Sequence, residues 1–530
     1  MSKRFSRMAA LSLTLPLIAA TFAGCGDDGS YSGVNSNSNY TYNYKTEAEE
    51  NYSPNTVNPN EEYKHVEETG FKDPKSEPLS TFSADVDTAS YTNARRMLNE
   101  HQIVDADSVR VEEYINYFDY KYADPEEGKV FGEYVELADC PWNPDTKLMM
   151  IGLQGKRMEQ EELPPSNLVF LIDSSGSMNS YNKLPLVQTA FSMLTDTLTE
   201  NDRISIVTYA GSSETVLKGA SGADKDEITE ALGSIMARGG TNGEGGIETA
   251  YELAEEYFIE GGNNRVILAT DGDVNIGKCS ESELTKLIED KRESGVYLSV
   301  LGFGTGNIKD NKMEALADNG NGNYSYIDSV AEARRVLVEE MGGTLFTIAK
   351  DVKIQVEFNP ATVTSYRLVG YDNRIMNAED FYDDSKDAGE VGAGHAVTAL
   401  YEVQLANEPA KGTYHGIELE FADNHEGTTA ASANGRDELI KLSVAYKDIN
   451  TDEEVYSADL YGMEKYNAVP TQGIKLAGAA AEFAMLLKGS EYAGTSSFDY
   501  VRETALAIGG TNEKINELGD LAQKASSLYK

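Results

Sequence analysis

The chain has little of two residue types that build many functional sites, cysteine and histidine. Among its 530 residues it has three cysteines and five histidines. The cysteines, Cys25, Cys140 and Cys279, are too few for a disulfide framework. They form no CxxC pair, which argues against a zinc or iron–sulfur site built on thiolates. Sites made of cysteine are therefore not expected.

Positive charge is also scarce. Lysine and arginine number 45 against 88 aspartates and glutamates, so the formal net charge is −43 and the sequence pI is near 4.4. Binding to nucleic acid depends on a basic surface, and so does adhesion to anionic lipid headgroups. The composition therefore argues against both, and we expect no nucleic-acid partner.

Long apolar runs are absent beyond the N-terminus. Lys3, Arg4 and Arg7 precede an apolar stretch, Met8–Phe22, which is short for a membrane span and typical of a secretory signal. No later stretch approaches about 18 uninterrupted apolar residues, the length needed to cross a bilayer. The sequence therefore predicts export and no further membrane span.

The signal ends in Phe22-Ala23-Gly24-Cys25. This stretch resembles the lipobox of bacterial lipoproteins, although Phe22 departs from the usual leucine. The resemblance implies that residues 1–24 are a lipoprotein signal peptide and that Cys25 carries the lipid. Acyl chains would then hold the protein to the cell membrane, facing outside the cytoplasm. A plain secretory signal followed by a chance cysteine is the alternative.

The next residues differ in composition from the rest of the chain. Residues 25–75 are rich in Asn, Ser, Tyr, Gly and acids and lack aliphatic periodicity, which predicts a disordered tether. From residue 76 the pattern becomes globular. Residues 76–155 are expected to form an N-terminal domain with two helices and two strands, the latter at Tyr134–Leu137 and Leu148–Gly152.

Residues 166–345 alternate between apolar strands and amphipathic helices. The predicted strands are Leu168–Ile172, Ile204–Tyr209, Val266–Thr270, Tyr297–Phe303 and Tyr324–Ile327. The predicted helices are Leu184–Leu198, Glu227–Ile235, Glu244–Phe258, Glu281–Glu293 and Val330–Met341. This alternation predicts an α/β fold, a doubly wound and mainly parallel sheet covered on both faces.

A different periodicity follows. Residues 350–465 alternate apolar and polar side chains, as in "DVKIQVEF" and "HGIELEF", and predict an antiparallel, sandwich-like β module. Residues 466–530 return to helical periodicity. The two early strands are too few to bury a face alone, so we expect them to join the later module and the α/β domain to be inserted in it.

The first strand of the α/β domain runs into "DSSGS". Asp173, Ser175 and Ser177 therefore stand at a strand's carboxyl end, where open parallel sheets bind ligands. Thr241, in a glycine-rich loop, and Asp271, at the end of another strand, are expected at the same edge. All five offer oxygen, the ligand that Mg²⁺ prefers.

These residues closely resemble the metal ion-dependent adhesion site (MIDAS) of von Willebrand factor A (VWA) domains: D-x-S-x-S, a threonine on a second loop and an aspartate on a third. The resemblance implies a bound Mg²⁺, with Mn²⁺ or Ca²⁺ as alternatives. Such an ion would keep an open position for an acidic residue of a protein partner. It therefore implies a binding and adhesion function.

The similarity extends beyond that domain. "STFSADVDTASYTNARRMLN", "VRVEEYINYFDY", "PWNPD" and "DAGEVGAGHAVTALYE" resemble bacterial VWA lipoproteins that carry their own N-terminal and C-terminal domains. The resemblance runs from about Pro78 to the end of the chain. It implies a shared architecture of VWA domain and flanking domains.

Two alternative functions remain at this point. An envelope hydrolase would need a base, but no histidine lies between Ser166 and Gly343, and His395 is the one histidine in a motif-like setting. We interpret His395 as a turn residue and expect no enzyme. The other alternative is an adaptor for an envelope assembly.

Overall fold

The chain folds into α-helices and β-strands. The computed structural model describes residues 58, 60–158, 163–240, 244–272, 281–406, 438–449 and 451–529. The strands are β1 Leu79–Ser83, β2 Phe131–Asp139, β3 Lys147–Gly155, β4 Ser166–Asp173, β5 Arg203–Tyr209, β6 Ser213–Ser221, β7 Asn263–Thr270, β8 Val296–Phe303, β9 Tyr324–Ile327, β10 Thr347–Phe358, β11 Val363–Val369, β12 Ile375–Met376, β13 Gly389–Gly392, β14 Ala396–Leu405, β15 Glu438–Asp448 and β16 Glu454–Gly462. The helices are α1 Ala89–Asn99, α2 Val111–Asn116, α3 Leu184–Thr197, α4 Lys225–Ser234, α5 Glu244–Glu256, α6 Glu281–Arg292, α7 Asp310–Asn319, α8 Val330–Arg334, α9 Met341–Leu345, α10 Gln472–Lys488, α11 Phe498–Gly509 and α12 Glu513–Leu528.

The central sheet has the strand order β6-β5-β4-β7-β8-β9. All its pairings are parallel except the one between β5 and β6. Helices α3, α4 and α8 cover one face of the sheet, and α5, α6 and α7 cover the other. Because both faces are covered, the inner strands β4, β5, β7 and β8 are mainly buried, and β4 is buried throughout. The predicted doubly wound α/β fold is confirmed.

Two antiparallel sheets pack face to face beside this domain. One has the order β11-β14-β3-β2, and the other has the order β12-β1-β10-β15-β16, with β13 also paired to β10. Their inner faces share one core, to which Phe82 and Ile354 contribute from one sheet and Ile151 and Tyr401 from the other. We name these two sheets the β module.

The early strands join this module, as the sequence predicts. Ile151 of β3 pairs with Ala399 of β14, although more than two hundred residues separate them in the chain. The α/β domain, β4 to β9 with its helices, lies between these strands in sequence. It is therefore an insertion in the β module.

The C-terminal helices α10, α11 and α12 pack on α1 and α2 of the N-terminal region. Thr471 caps the N-terminus of α10 by accepting from the backbone N–H of Ile474, and Gly489 ends that helix in the left-handed conformation at φ 72°. The rings of Tyr114 in α2 and Phe483 in α10 lie 6.0 Å apart. The predicted C-terminal helical segment is therefore present.

Some elements differ from the prediction. The edge strand β6 and helix α7 were not predicted. The side chains of β6 are exposed or partly exposed, and apolar and polar residues do not alternate clearly along the strand. The predicted single helix Val330–Met341 is instead α8 followed by a π-helical turn at Arg335–Glu339. Helix α9 begins only at Met341. The predicted strand "HGIELEF" lies outside the described residues.

One prediction about the tether needs correction. Residues 60–75, placed in the disordered tether from their composition, pack against the folded body. Glu61 is buried and pairs with Arg96 at 2.9 Å, and Lys72 forms a β-bridge with Tyr366. These contacts of Glu61 and Lys72 depend on partners far along the chain, which composition does not reveal. The rest of the predicted tether lies outside the described residues.

Candidate metal centre

Asp173 is the last residue of β4, at the carboxyl edge of the parallel sheet. Because β4 lies between β5 and β7, Asp173 pairs with Tyr209, and the preceding Ile172 pairs with Ala269. The side chain of Asp173 is fully buried. Its Oδ1 accepts a hydrogen bond from the backbone N–H of Ser175 at 2.8 Å. The carboxylate is thus held by the loop that follows its own strand.

The two predicted serines stand on this loop. Ser175 is buried, Ser177 is exposed, and their hydroxyl oxygens lie 2.9 Å apart. The two hydroxyls and the Asp173 carboxylate are therefore on one short turn that reaches from the core to the surface. The structure brings these three predicted residues together.

The second predicted loop approaches the same turn. The backbone N–H of Gly176 donates to the Gly239 carbonyl at 3.1 Å, and the N–H of Arg238 donates to the Ser174 carbonyl at 2.7 Å. Gly239 has a φ of 84°, in the left-handed region that glycine adopts most easily. Thr241, two residues further on, lies outside the described residues, so its contribution stays a prediction.

The third predicted segment supplies Asp271, directly after β7. Thr270 lies beside the site, with its Oγ1 3.5 Å from Asp173 Oδ2, and Asp271 is also buried. The Lys183 ammonium group donates to Asp271 Oδ2 at 2.8 Å. Both side chains of this ion pair are buried. A cation is therefore accommodated at this edge of the sheet, beside a predicted metal ligand.

The sequence reasoning missed Lys183 and the residue that makes room for it. Lys183 immediately precedes α3, and its aliphatic stem runs past Gly304, which follows β8. A methyl group at Gly304 would lie 2.3 Å from Lys183 Cγ, so a larger residue there would displace the lysine. The sequence does contain a signal that could have identified Lys183, which is a single lysine at the start of the apolar stretch "KLPLV".

The donor set fits a divalent cation. Two buried carboxylates and two hydroxyls from two neighbouring segments are hard oxygen ligands, and the described part of the site offers no sulfur or imidazole. The Lys183 ammonium shows that positive charge is stabilised there. Residues present at this edge therefore match the metal ion that the sequence pattern implies.

The other predicted site residues lie elsewhere. Cys25, the predicted lipidation site, is outside the described residues. His395 is in the turn before β14, where its ring packs against Gly343; a methyl group on that glycine would lie 2.2 Å from the ring. Burial lowers the pKa of His395 below its usual value. Among the described residues, no helix is both long and apolar enough to cross a membrane.

Comparison with known proteins supports this organisation. Residues 167–339 match the family model for the von Willebrand factor type A domain, and residues 57–150 match a model described as von Willebrand factor. Residues 343–528 match the model described as "Uncharacterized protein YfbK, C-terminal". Three successive parts of the chain thus have separate counterparts.

Solved structures show more distant likenesses. A von Willebrand factor type A protein from Catenulispora acidiphila is 16% identical, with a TM-score of 0.40, over 74% of this chain and 89% of that one. Proximal thread matrix protein 1 from the mussel byssus, solved with a zinc-occupied MIDAS motif, is 24% identical, with a TM-score of 0.28, over 33% of this chain and 45% of that one. At these TM-scores, the likenesses carry no functional conclusion.

A sequence relative covers much more of the chain. The uncharacterized protein YfbK of Escherichia coli strain K12 is 41% identical over 450 residues, which are 84% of this chain and 77% of that protein. The chain therefore belongs to the YfbK family, in which a von Willebrand factor type A domain is followed by a YfbK C-terminal domain.

Proposed function

We propose that this chain is a lipid-anchored, extracytoplasmic binding protein that docks a protein partner through a divalent metal ion in its VWA domain. The observation that carries the proposal is the position of Asp173, Ser175, Ser177 and Asp271 at the carboxyl ends of two neighbouring parallel strands, β4 and β7. The exposed position of Ser177 gives that edge access to a partner. VWA domains generally mediate protein–protein interaction, which agrees with the family match.

The metal would be held by Asp173, Ser175, Ser177, Thr241 and Asp271. Oxygen ligands alone favour Mg²⁺, with Mn²⁺ or Ca²⁺ as alternatives, over Zn²⁺. When bound, the ion would supply an electrophilic centre for a carboxylate oxygen of the partner. Docking would then require the metal, because the ion would bind an aspartate or glutamate of the partner.

Exposed apolar side chains flank this edge and suit a protein partner. Tyr181, four residues after Ser177, is 87% exposed, and Met236, two residues before the Arg238 contact, is 68% exposed. Exposed tyrosine and methionine are favoured at protein interfaces because they bury a large apolar area on binding. The ion would provide specificity for an acidic group of the partner, and the apolar side chains beside it would provide contact area.

The test is a cross-linked pull-down from membranes with the full chain, in Mg²⁺ or in chelator. Asp173→Ala should abolish the Mg²⁺-dependent capture, because it removes a carboxylate from the site. Asp196→Ala, an exposed aspartate at the far end of α3, should capture as wild type does. Capture that survives both chelator and Asp173→Ala would contradict docking at this edge.

A second pair of variants tests the contact surface rather than the ion. Tyr181→Ala should weaken partner binding by about tenfold, as expected for an interface tyrosine, and should leave Mg²⁺ binding unchanged. Tyr382→Ala removes another exposed tyrosine, which lies in the β module, and should not affect capture. Equal losses from both variants would argue against a partner surface around Tyr181.

The anchor is tested separately. Because Cys25 follows Ala23-Gly24, the mature chain should partition into detergent and carry acyl groups. Cys25→Ser should release the protein from membranes or leave the signal uncut, as measured by membrane fractionation and mass spectrometry of the N-terminus. A water-soluble wild-type chain that starts at another residue would contradict lipidation.

A further inference from the structure

Three carboxylates meet in the β module, away from the VWA edge. Asp351 stands in β10, Asp387 precedes β13, and Glu390 lies within β13. Each offers a carboxylate oxygen, and these oxygens all lie within 4.8 Å of one another. Like charges this close repel, so the cluster requires positive charge to stabilise it.

Two basic side chains already neutralise two of these carboxylates. Lys447 pairs with Asp351 Oδ2 at 2.7 Å, and Arg292 pairs with Asp387 Oδ2 at 2.8 Å. The backbone N–H of Ala388 also donates to Asp351 Oδ1 at 3.1 Å. The two aspartates are therefore held in place by groups from β15, α6 and the loop before β13.

Glu390 differs from both aspartates. Its side chain is directed into the cluster and is only 8% exposed, and within the described part of the chain its Oε1 is buried without a hydrogen-bond partner. Burial, followed by repulsion from Asp387 and Asp351, holds the pKa of Glu390 well above its usual range. A buried carboxylate oxygen without a partner is costly, so a ligand for it is expected.

We propose that Asp351, Asp387 and Glu390 form a second cation site, which binds Ca²⁺. Three carboxylates are hard oxygen ligands, the type that Ca²⁺ and Mg²⁺ prefer. Carboxylate oxygens within 4.8 Å of one another are close enough to share one ion, because Ca²⁺ binds each oxygen at about 2.4 Å. Mg²⁺ requires a nearly ideal octahedron, whereas Ca²⁺ tolerates irregular geometry and therefore suits aspartates already held by Lys447 and Arg292.

The surroundings of the cluster leave room for the remaining ligands. The Asp387 side chain is 48% exposed, which opens one side of the site to water. Ca²⁺ accepts water and irregular geometry, so three protein ligands and several waters form an ordinary coordination shell. The aspartate oxygens that pair with Lys447 and Arg292 are Oδ2 in both cases, and each carboxylate retains further lone pairs.

The site lies where the inserted VWA domain meets the β module. Arg292 is the last residue of α6, in the VWA domain, and it also donates to Asn321 Oδ1 at 2.9 Å. Asp351, Asp387 and Glu390 belong to the β module. A bound ion would therefore stabilise the junction between the two parts, independently of the metal at Asp173.

The test uses the full chain carrying Asp173→Ala, so that ion binding at the VWA edge does not contribute. Calorimetry with CaCl₂ should show one site, and saturating Ca²⁺ should raise the Tm by about 3 °C or more. Adding Glu390→Gln should remove both effects while the chain stays folded by circular dichroism. In chelator, this variant should be at least as stable as its parent, because it removes a buried carboxyl group whose ionised form is repelled by Asp351 and Asp387.

The matched control is Glu379→Gln, an exposed glutamate of the same module, which should keep the Ca²⁺ response. The proposal is overturned if Ca²⁺ neither binds nor shifts the Tm, in which case Glu390 holds a proton instead. It is also overturned if the shift persists in the Glu390→Gln chain. An equal response to Mg²⁺ at the same concentration would overturn the assignment to calcium.

Discussion

Replacing Lys183 by methionine should destabilise the metal-free protein by about 3 kcal/mol, because the buried Asp271 carboxylate loses the ammonium group that pairs with it. Lys183 and Asp271 are both buried, and their charged atoms are 2.8 Å apart. Methionine retains much of the aliphatic stem that packs against Gly304, so the change removes mainly the ammonium group. The measurement is the free energy of unfolding in urea, with chelator present.

The same variant should bind Mg²⁺ more tightly. Under the proposed function, an ion that enters the wild-type site would have to compete with the lysine ammonium for Asp271. We expect the affinity for Mg²⁺ to rise about tenfold, which corresponds to about 1.4 kcal/mol. Mg²⁺ should therefore reduce the difference in the free energy of unfolding between variant and wild type. Calorimetry with MgCl₂ measures the affinity directly.

The control for this experiment is Lys218→Met. Lys218 pairs with Glu256 at the same 2.8 Å distance, but both side chains are 50% exposed. Water solvates an exposed pair, so its loss should change neither stability nor Mg²⁺ affinity measurably. If Lys183→Met behaves like this control, or binds Mg²⁺ more weakly than wild type, then Lys183 does not compete with the metal.

The second large effect is expected at Glu332, in the last helical segment of the VWA domain. Glu332 accepts hydrogen bonds from Arg95 of α1 at 2.8 Å and from Arg335 at 2.5 Å, and all three side chains are buried. Although burial alone would raise its pKa, the two guanidinium groups outweigh that effect and lower the pKa of Glu332 to about 2. The fold thus favours the ionised carboxylate.

Glu332→Gln should cost about 3 kcal/mol at pH 7, because two buried arginines lose their shared partner. A lowered pKa means that the stabilisation is present above the ordinary value of 4.5 and is lost as pH falls toward 2. The stability gap between wild type and variant should therefore narrow by about 2 kcal/mol between pH 7 and pH 3. Urea unfolding at both pH values measures this change.

An exposed glutamate, Glu126, provides the control for the Glu332→Gln experiment. Glu126 pairs with Lys129 at 3.0 Å, and both side chains are well exposed. Glu126→Gln should therefore follow the wild type at both pH values. A gap for Glu332→Gln that is the same at pH 7 and pH 3 would mean that the carboxylate is not held ionised by the two arginines.

The arginines around Glu332 also explain a motif that sequence reasoning recognised only by resemblance. In "STFSADVDTASYTNARRMLN", Arg95 pairs with Asp328 and Glu332 of the VWA domain and with Glu517 of α12. Its neighbour Arg96 pairs with Glu61. The motif therefore joins the N-terminal helix to the inserted domain and to the C-terminal helices.

Features that depend on neighbouring residues could be predicted from the sequence alone. The continuous apolar run at Leu168–Ile172 predicts a buried parallel strand, and β4 is buried throughout. Ligands of open parallel sheets bind at the carboxyl ends of strands, so Asp173 and Ser175 could be placed together without a structure. Alternation of apolar and polar side chains likewise predicted β10, whose apolar residues from Val352 to Phe358 line the core of the β module.

Contacts between charged residues that are distant in sequence could not be predicted, because they depend on how the whole chain packs. Lys183 reaches Asp271, and Glu390 reaches Asp351, through folding of segments that share no local pattern. In a chain with 88 acidic residues, the many possible carboxylate neighbours look alike in sequence. Which of them become buried together depends on how the sheets and helices pack, and the energy of a charge depends strongly on that burial.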